Sequence, residues 1–141
     1  MTERDKIQIK TAEKTMEVVL LIDDNAIQAA TRQTILKRAG YFVIAVLNPA
    51  RALEQFKNDD FPFPISIVIT DHIMPGMSGA EFVRELRKTQ PDLPILVISG
   101  LDDAECEYAG MNVRFLTKPL SPDLMLANLH ELLQTEELGV A

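Results

Sequence analysis

Ile65-Ser66-Ile67-Val68-Ile69-Thr70-Asp71-His72-Ile73-Met74-Pro75-Gly76 is an apolar run that stops at a carboxylate and turns at once. Runs without polar alternation are strands of a sheet covered on both faces, and in such α/β sheets ligands bind beyond the strand C-termini. Asp71 is therefore the first candidate for chemistry. Val18-Val19-Leu20-Leu21-Ile22 repeats the pattern and closes on Asp23-Asp24, so two strands bring three carboxylates to one sheet edge. Three acids there point to a hard cation.

Outward from these two runs the chain alternates strand and helix. Asn25 to Ala39 reads as a helix with Ile27, Ala30, Thr34, Ile35 and Arg38 at helical offsets, stopped by Gly40. Tyr41 to Leu47 is β-rich, and Pro49 after Asn48 opens a second helix with Ala52, Leu53 and Phe56 on one face. Phe61-Pro62-Phe63-Pro64 cannot continue it, because proline lacks an amide donor. Gly79 to Gln90 forms a third helix, with Phe82, Val83 and Leu86 inward, and Ile95 to Ile98 a fourth strand that ends at Ser99-Gly100. A short helical piece, Asp102 to Ala109, leads through Gly110 to a fifth strand, Val113 to Leu116, and Ser121-Pro122 starts a last helix through about Gln134. Strands that alternate with helices predict a parallel sheet with right-handed crossovers. On that plan Asp23, Asp24, Asp71, Ser99 and Lys118 all follow strand ends and face one crevice.

The 141 residues suit one domain, divided as a polar arm over 1–16, a folded unit over 17–135 and a tail over 136–141. The lone Cys106 excludes an internal disulfide, and two histidines are too few for a zinc cluster, so a reducing, cytoplasmic setting is expected. No apolar run approaches membrane-spanning length, and none marks a secretion signal, so no membrane insertion is expected. A net charge of -7 argues against a nucleic-acid surface and for protein partners.

A carboxylate attacks phosphorus when a divalent cation and a positive side chain neutralise the incoming phosphoryl group. Asp24 and Asp71 suit direct ligation of Mg2+, with Asp23 acting through water or as a charge. Lys118 offers an ammonium and Ser99 a hydroxyl to phosphoryl oxygens. Lys118-Pro119 is a junction where a cis bond is accessible. His72 adjoins Asp71 but points to the opposite face, as a rim or packing residue. Met74, Met77, Met111 and Met125 read as core or loop fillers, Cys106 as a small helix residue, and Ile7-Gln8-Ile9 as a segment able to pair with an edge strand.

Val19-Leu20-Leu21-Ile22-Asp23-Asp24-Asn25, Ile69-Thr70-Asp71-His72-Ile73-Met74-Pro75-Gly76-Met77-Ser78-Gly79, Val97-Ile98-Ser99-Gly100 and Phe115-Leu116-Thr117-Lys118-Pro119 together resemble the response-regulator receiver domain. The resemblance implies a flavodoxin-like (βα)5 three-layer sandwich with strand order 2-1-3-4-5. It implies Mg2+-dependent transfer from a histidine kinase or phosphotransfer protein to Asp71, later hydrolysis, and output through a downstream protein target, with a homodimer among the expected partners. It assigns Asp23 and Asp24 to the acidic pair, the Ile73 carbonyl to the metal, Lys118 to the family's lysine, and Ser99 and Phe115 to the switch. The chain departs from the family in a shortened fourth helix and in Phe115, which has no hydroxyl. With no output domain after Gln134, the chain reads as a stand-alone receiver or one separated from a hybrid kinase. The alternative functions are a phosphorylation-independent binding module, an aspartate-nucleophile phosphatase lacking the usual spaced Asp-x-Asp, and a flavodoxin, disfavoured by the acidic first loop.

Overall fold

The computed structural model describes residues 16–140. Its elements run β1 (Val18–Ile22), α1 (Ala26–Arg38), β2 (Phe42–Val46), α2 (Pro49–Lys57), β3 (Ile67–Asp71), α3 (Gly79–Arg87), β4 (Ile95–Ser99), a 3-10 helix (Asp102–Tyr108), β5 (Arg114–Thr117) and α4 (Pro122–Val140). The strands form one parallel sheet in the order β2-β1-β3-β4-β5, as the apolar runs and the family resemblance led us to expect. Ile7-Gln8-Ile9 lies outside the described residues. No described helix is long and apolar enough to cross a membrane.

Period-two alternation divides β3 between two cores. Val68 joins Leu20, Ile22, Phe82 and Leu86 on the α2–α3 side, whereas Ile67 and Ile69 join Val19, Leu21, Leu36 and Leu129 on the α1–α4 side. Each such fully buried aliphatic side chain stabilises the fold by about 1.5–3 kcal/mol. The alternation continues past the core, so Asp71 emerges toward α1 and His72 toward α3 and the 3-10 helix.

The helices begin where the sequence supplies caps. Asn25 Oδ1 accepts from Gln28 N at 2.9 Å, Asn48 Oδ1 accepts from Ala50 N at 2.9 Å, and Ser78 and Glu81 form a reciprocal capping box. α1 is capped by Ala39, followed by Gly40 at φ 99°. Its inward stripe differs from the one expected. Ala29, Arg32 and Leu36 are buried, and Ile27 is 81 % exposed. The stripe differs because polar Gln28 and Arg32 turn inward to bond carboxylates.

The short piece after β4 is a 3-10 helix, with i to i+3 bonds such as Ala104 N to Leu101 O at 3.2 Å and Ala109 N to Cys106 O at 3.3 Å. Met111 N bonds Tyr108 O at 3.0 Å, and Gly110 sits at φ 79°, so the chain turns away before an α-helix can build. Cys106 is exposed on it. Arg87 then ties down the approach to β5, donating to Met111 O at 2.8 Å, Leu93 O at 2.7 Å and Asn112 O at 2.8 Å. The last helix continues to Val140, past the expected end near Gln134.

Candidate functional site

The C-terminal ends of β1 and β3 are neighbours, with Ile22 registered on Thr70, so the residues that follow each strand meet. Asp23 is fully buried, Asp71 nearly so, and Asp24 is exposed. Oxygens of all three lie within 4.8 Å of one another. The sequence expectation of one acidic cluster thus agrees with the geometry. β5 brings Lys118 beside it, with Nζ 3.3 Å from Asp71 Oδ1. Lys118 N donates to Ser99 O at 2.7 Å, which holds the β4 and β5 ends together, and the Lys118-Pro119 bond is cis.

Two side chains from α1, absent from the sequence reading, complete the arrangement. Arg32 Nη1 lies 3.2 Å from Asp23 Oδ2 and 3.1 Å from Asp71 Oδ1. Gln28 Nε2 donates to Asp23 Oδ2 at 2.7 Å and to Asp71 Oδ2 at 2.8 Å. Asn25 N donates to Asp23 Oδ1 at 2.9 Å. Asp23 and Asp71 are thereby fully engaged, which is how buried carboxylates are tolerated. Asp24 takes no side-chain hydrogen bond among the described residues. Burial pushes the Asp71 carboxyl above its usual value, and the adjacent Asp23 adds to the rise, whereas Arg32 and Lys118 draw it down; burial prevails. A signal for Arg32 did exist in the sequence: it stands three residues after Ala29 and four before Leu36, an arginine on the apolar stripe.

Ser99, Ile73 and Phe115 are the remaining site candidates. Ser99 is buried and its Oγ accepts from Leu101 N at 3.0 Å, leaving the hydroxyl proton to donate elsewhere. Ile73, whose carbonyl is the expected metal ligand, turns its side chain to solvent. Phe115 is half-buried, its ring 5.7 Å from that of Tyr108.

His72 is a buried packing residue and more. Its Nδ1 lies 2.7 Å from the Tyr108 hydroxyl, and its Nε2 lies 3.3 Å from Glu107 Oε2. Burial, with the charges of Glu107 and Asp71, pushes the Tyr108 phenol upward, so the phenol keeps its proton and donates to Nδ1. That assignment of the network leaves Nε2-H facing Glu107. Tyr108 also explains Gly79. A Cβ there would strike the Tyr108 hydroxyl and come within 2.6 Å of Asp71 O and 2.9 Å of His72 Cα, while Gly79 N bonds His72 O at 2.7 Å.

The response regulator receiver domain family matches residues 19–130. The chain belongs to that family, a module of two-component signalling. Among curated relatives, the C4-dicarboxylate transport transcriptional regulatory protein DctD of Pseudomonas aeruginosa is 34% identical over 125 residues, covering 86% of this chain and 26% of DctD. Response regulator MprA of Mycobacterium ulcerans is 32% identical over 127 residues, covering 88% of this chain and 53% of MprA. The chain thus spans about a quarter to a half of these relatives. A response regulator receiver protein from Sinorhizobium medicae superimposes with TM-score 0.75 at 29% identity, covering 86% of this chain and 97% of that one. A CheY-like receiver from Methanospirillum hungatei shares the fold, with TM-score 0.80 at 20% identity, covering 88% and 98%. Receiver domains bind Mg2+ through an acidic cluster of the kind formed by Asp23, Asp24 and Asp71.

Proposed function

We propose that Asp71 accepts a phosphoryl group from the phosphohistidine of a histidine kinase or phosphotransfer protein. The observation that carries the reading is the Asp71 carboxylate, held 3.3 Å from Lys118 Nζ inside a cluster of three acids. The donor set suits a hard divalent ion: all oxygen, two acids buried and one open to solvent. Asp24, Asp71 and the Ile73 carbonyl would hold Mg2+ directly, and Asp23 through water. When bound, Mg2+ neutralises phosphoryl charge that would otherwise repel the carboxylates.

The chain's own groups supply the rest. An Asp71 oxygen attacks phosphorus in line; the new O-P bond forms as the P-N bond breaks, and the electron pair leaves on the imidazole nitrogen. Lys118 and the Ser99 hydroxyl meet the phosphoryl oxygens, which draws Ser99 from its bond with Leu101 N and biases Phe115. Attack of water on phosphorus later restores the carboxylate, so the only catalysis is of its own phosphorylation and dephosphorylation. Output passes to a downstream protein, or to a second copy in a homodimer, and not directly to nucleic acid. The setting is cytoplasmic. DctD is a transcriptional regulatory protein by name, and any such role here would belong to a larger assembly. Acetyl phosphate with Mg2+ is expected to add one phosphoryl group, seen by intact mass, that is lost in Asp71→Asn. No Asp71-dependent gain with either acetyl phosphate or a cognate kinase would overturn the reading.

A phosphorylation-independent binding module is the second reading, favoured by the Arg32 bridge that already occupies Asp71. Partner affinity unchanged by beryllofluoride and Mg2+ would select it.

A further inference from the structure

Arg32 and Gln28 come from the same face of α1, one turn apart, and both span the gap between Asp23 and Asp71. Arg32 is only 9 % exposed, in contact with carboxylates that are 0 % and 3 % exposed. Its guanidinium cannot be deprotonated in a protein, so a fixed positive charge lies between two of the three acids. Asp71 Oδ1 meets Arg32 and Lys118, and Asp71 Oδ2 meets Gln28. Neither oxygen of the nucleophile is free. A divalent ion that takes Asp71 as a ligand must crowd or displace these partners and sit near a fixed cation in a partly dehydrated site, where charges interact strongly.

We infer that Arg32 is a built-in counter-cation of the Asp23–Asp71 pair that competes with the divalent ion, so that this chain binds metal weakly and holds Asp71 closed until metal arrives. The inference rests on the proposed Mg2+ reading of the acidic cluster. Arg32 is a positioning residue in this scheme: it acts on Asp71 and the metal, not on the phosphoryl donor. The competition has a structural route, because Arg32 lines a groove of about 330 Å³ between α1 and the β5–α4 turn, with Gln28, Thr31, Ile35, Lys118 and Pro119. The released guanidinium can swing into this groove without leaving the apolar stripe that holds its stem.

The test uses the full chain and Mn2+ alone as the probe, with binding read by electron paramagnetic resonance and Mg2+ by competition. Arg32→Leu keeps bulk between Ala29 and Leu36 while removing the charge, and is expected to bind Mn2+ at least tenfold more tightly than the wild type. Arg32→Lys restores the charge and is expected to return the affinity to within about threefold of the wild type. In the wild-type protein, the Arg32 Nε-H resonance is expected to shift, and its exchange to accelerate, as Mg2+ is added; this measurement decides the matter if Arg32→Leu does not fold. Unchanged or weaker Mn2+ binding in folded Arg32→Leu, or an Arg32 Nε-H signal unmoved at Mg2+ saturation, overturns the inference while leaving the metal site standing. Failure of all three proteins to bind Mn2+ overturns the Mg2+ reading and the inference with it.

Discussion

Asp71 and His72 are consecutive residues with opposite surroundings. Asp71 faces α1 and meets a guanidinium, an ammonium, an amide and another carboxylate. His72 faces α3 and the 3-10 helix, where it meets the Tyr108 phenol, by hydrogen bond and by its ring, and one glutamate. The strand's period of two produces the contrast, and it separates two tasks. The α1 side is built from charges, and it is there that the proposed metal and phosphoryl chemistry would take place. On the other side a polar link within an apolar core fixes the 3-10 helix to the residue after Asp71. The end of β3 is thus anchored by side chains on both faces of the sheet.

The largest way to break the charged side is at Lys118. Lys118→Ala is expected to slow phosphorylation by acetyl phosphate by about 100-fold, the usual cost of removing one donor to developing charge, while leaving the fold intact because the side chain is over a third exposed. Stopped assays with intact-mass readout check this. On the other side, Gly79→Ala forces a Cβ against the backbone of Asp71 and His72, with an expected loss of about 1–3 kcal/mol by urea denaturation. Tyr108→Phe removes the hydroxyl from the His72 Nδ1 bond and leaves a buried nitrogen unpaired, costing about 1–3 kcal/mol. It is expected to leave phosphorylation of Asp71 nearly unchanged but to weaken the response of the 3-10 helix, measured by amide exchange with and without beryllofluoride and Mg2+. Equal responses in wild type and Tyr108→Phe would remove His72 from the route.

The smallest effect concerns pH. Because burial holds the Asp71 carboxyl above its unfolded value, the metal-free folded state binds that proton more tightly than the unfolded chain. Its stabilising contribution is present below the unfolded carboxylate pKa and is lost as pH rises through the folded pKa. Asp71→Asn removes this loss. Its melting temperature is therefore expected to exceed that of the wild type by a few degrees at pH 7 without metal, and the gap to shrink toward pH 4.

Most of the fold was legible because β1, β3 and β4 are apolar runs that reach a polar or acidic residue, and because Pro49 after Asn48 marks the start of the next helix. The acids, Ser99 and Lys118 were legible for the same reason: they sit at strand ends. Gln28 was not, being a polar, half-buried member of an amphipathic helix read by its apolar stripe, and Arg32 showed only as an arginine set between Ala29 and Leu36. Tyr108 was hidden by distance in sequence, since its contact with His72 spans 36 residues and depends on where the 3-10 helix folds back. The separation between Asp71 and His72 was predictable from alternation alone; what each would meet was not.

Where the phosphoryl group goes decides the role of Asp71 most directly. Phosphorylating the wild-type chain with Mg2+, reducing the acyl phosphate with borohydride and mapping the product by tandem mass spectrometry is expected to show a reduced side chain at Asp71 alone. Label at Asp23 or Asp24, or at no carboxylate, would contradict it.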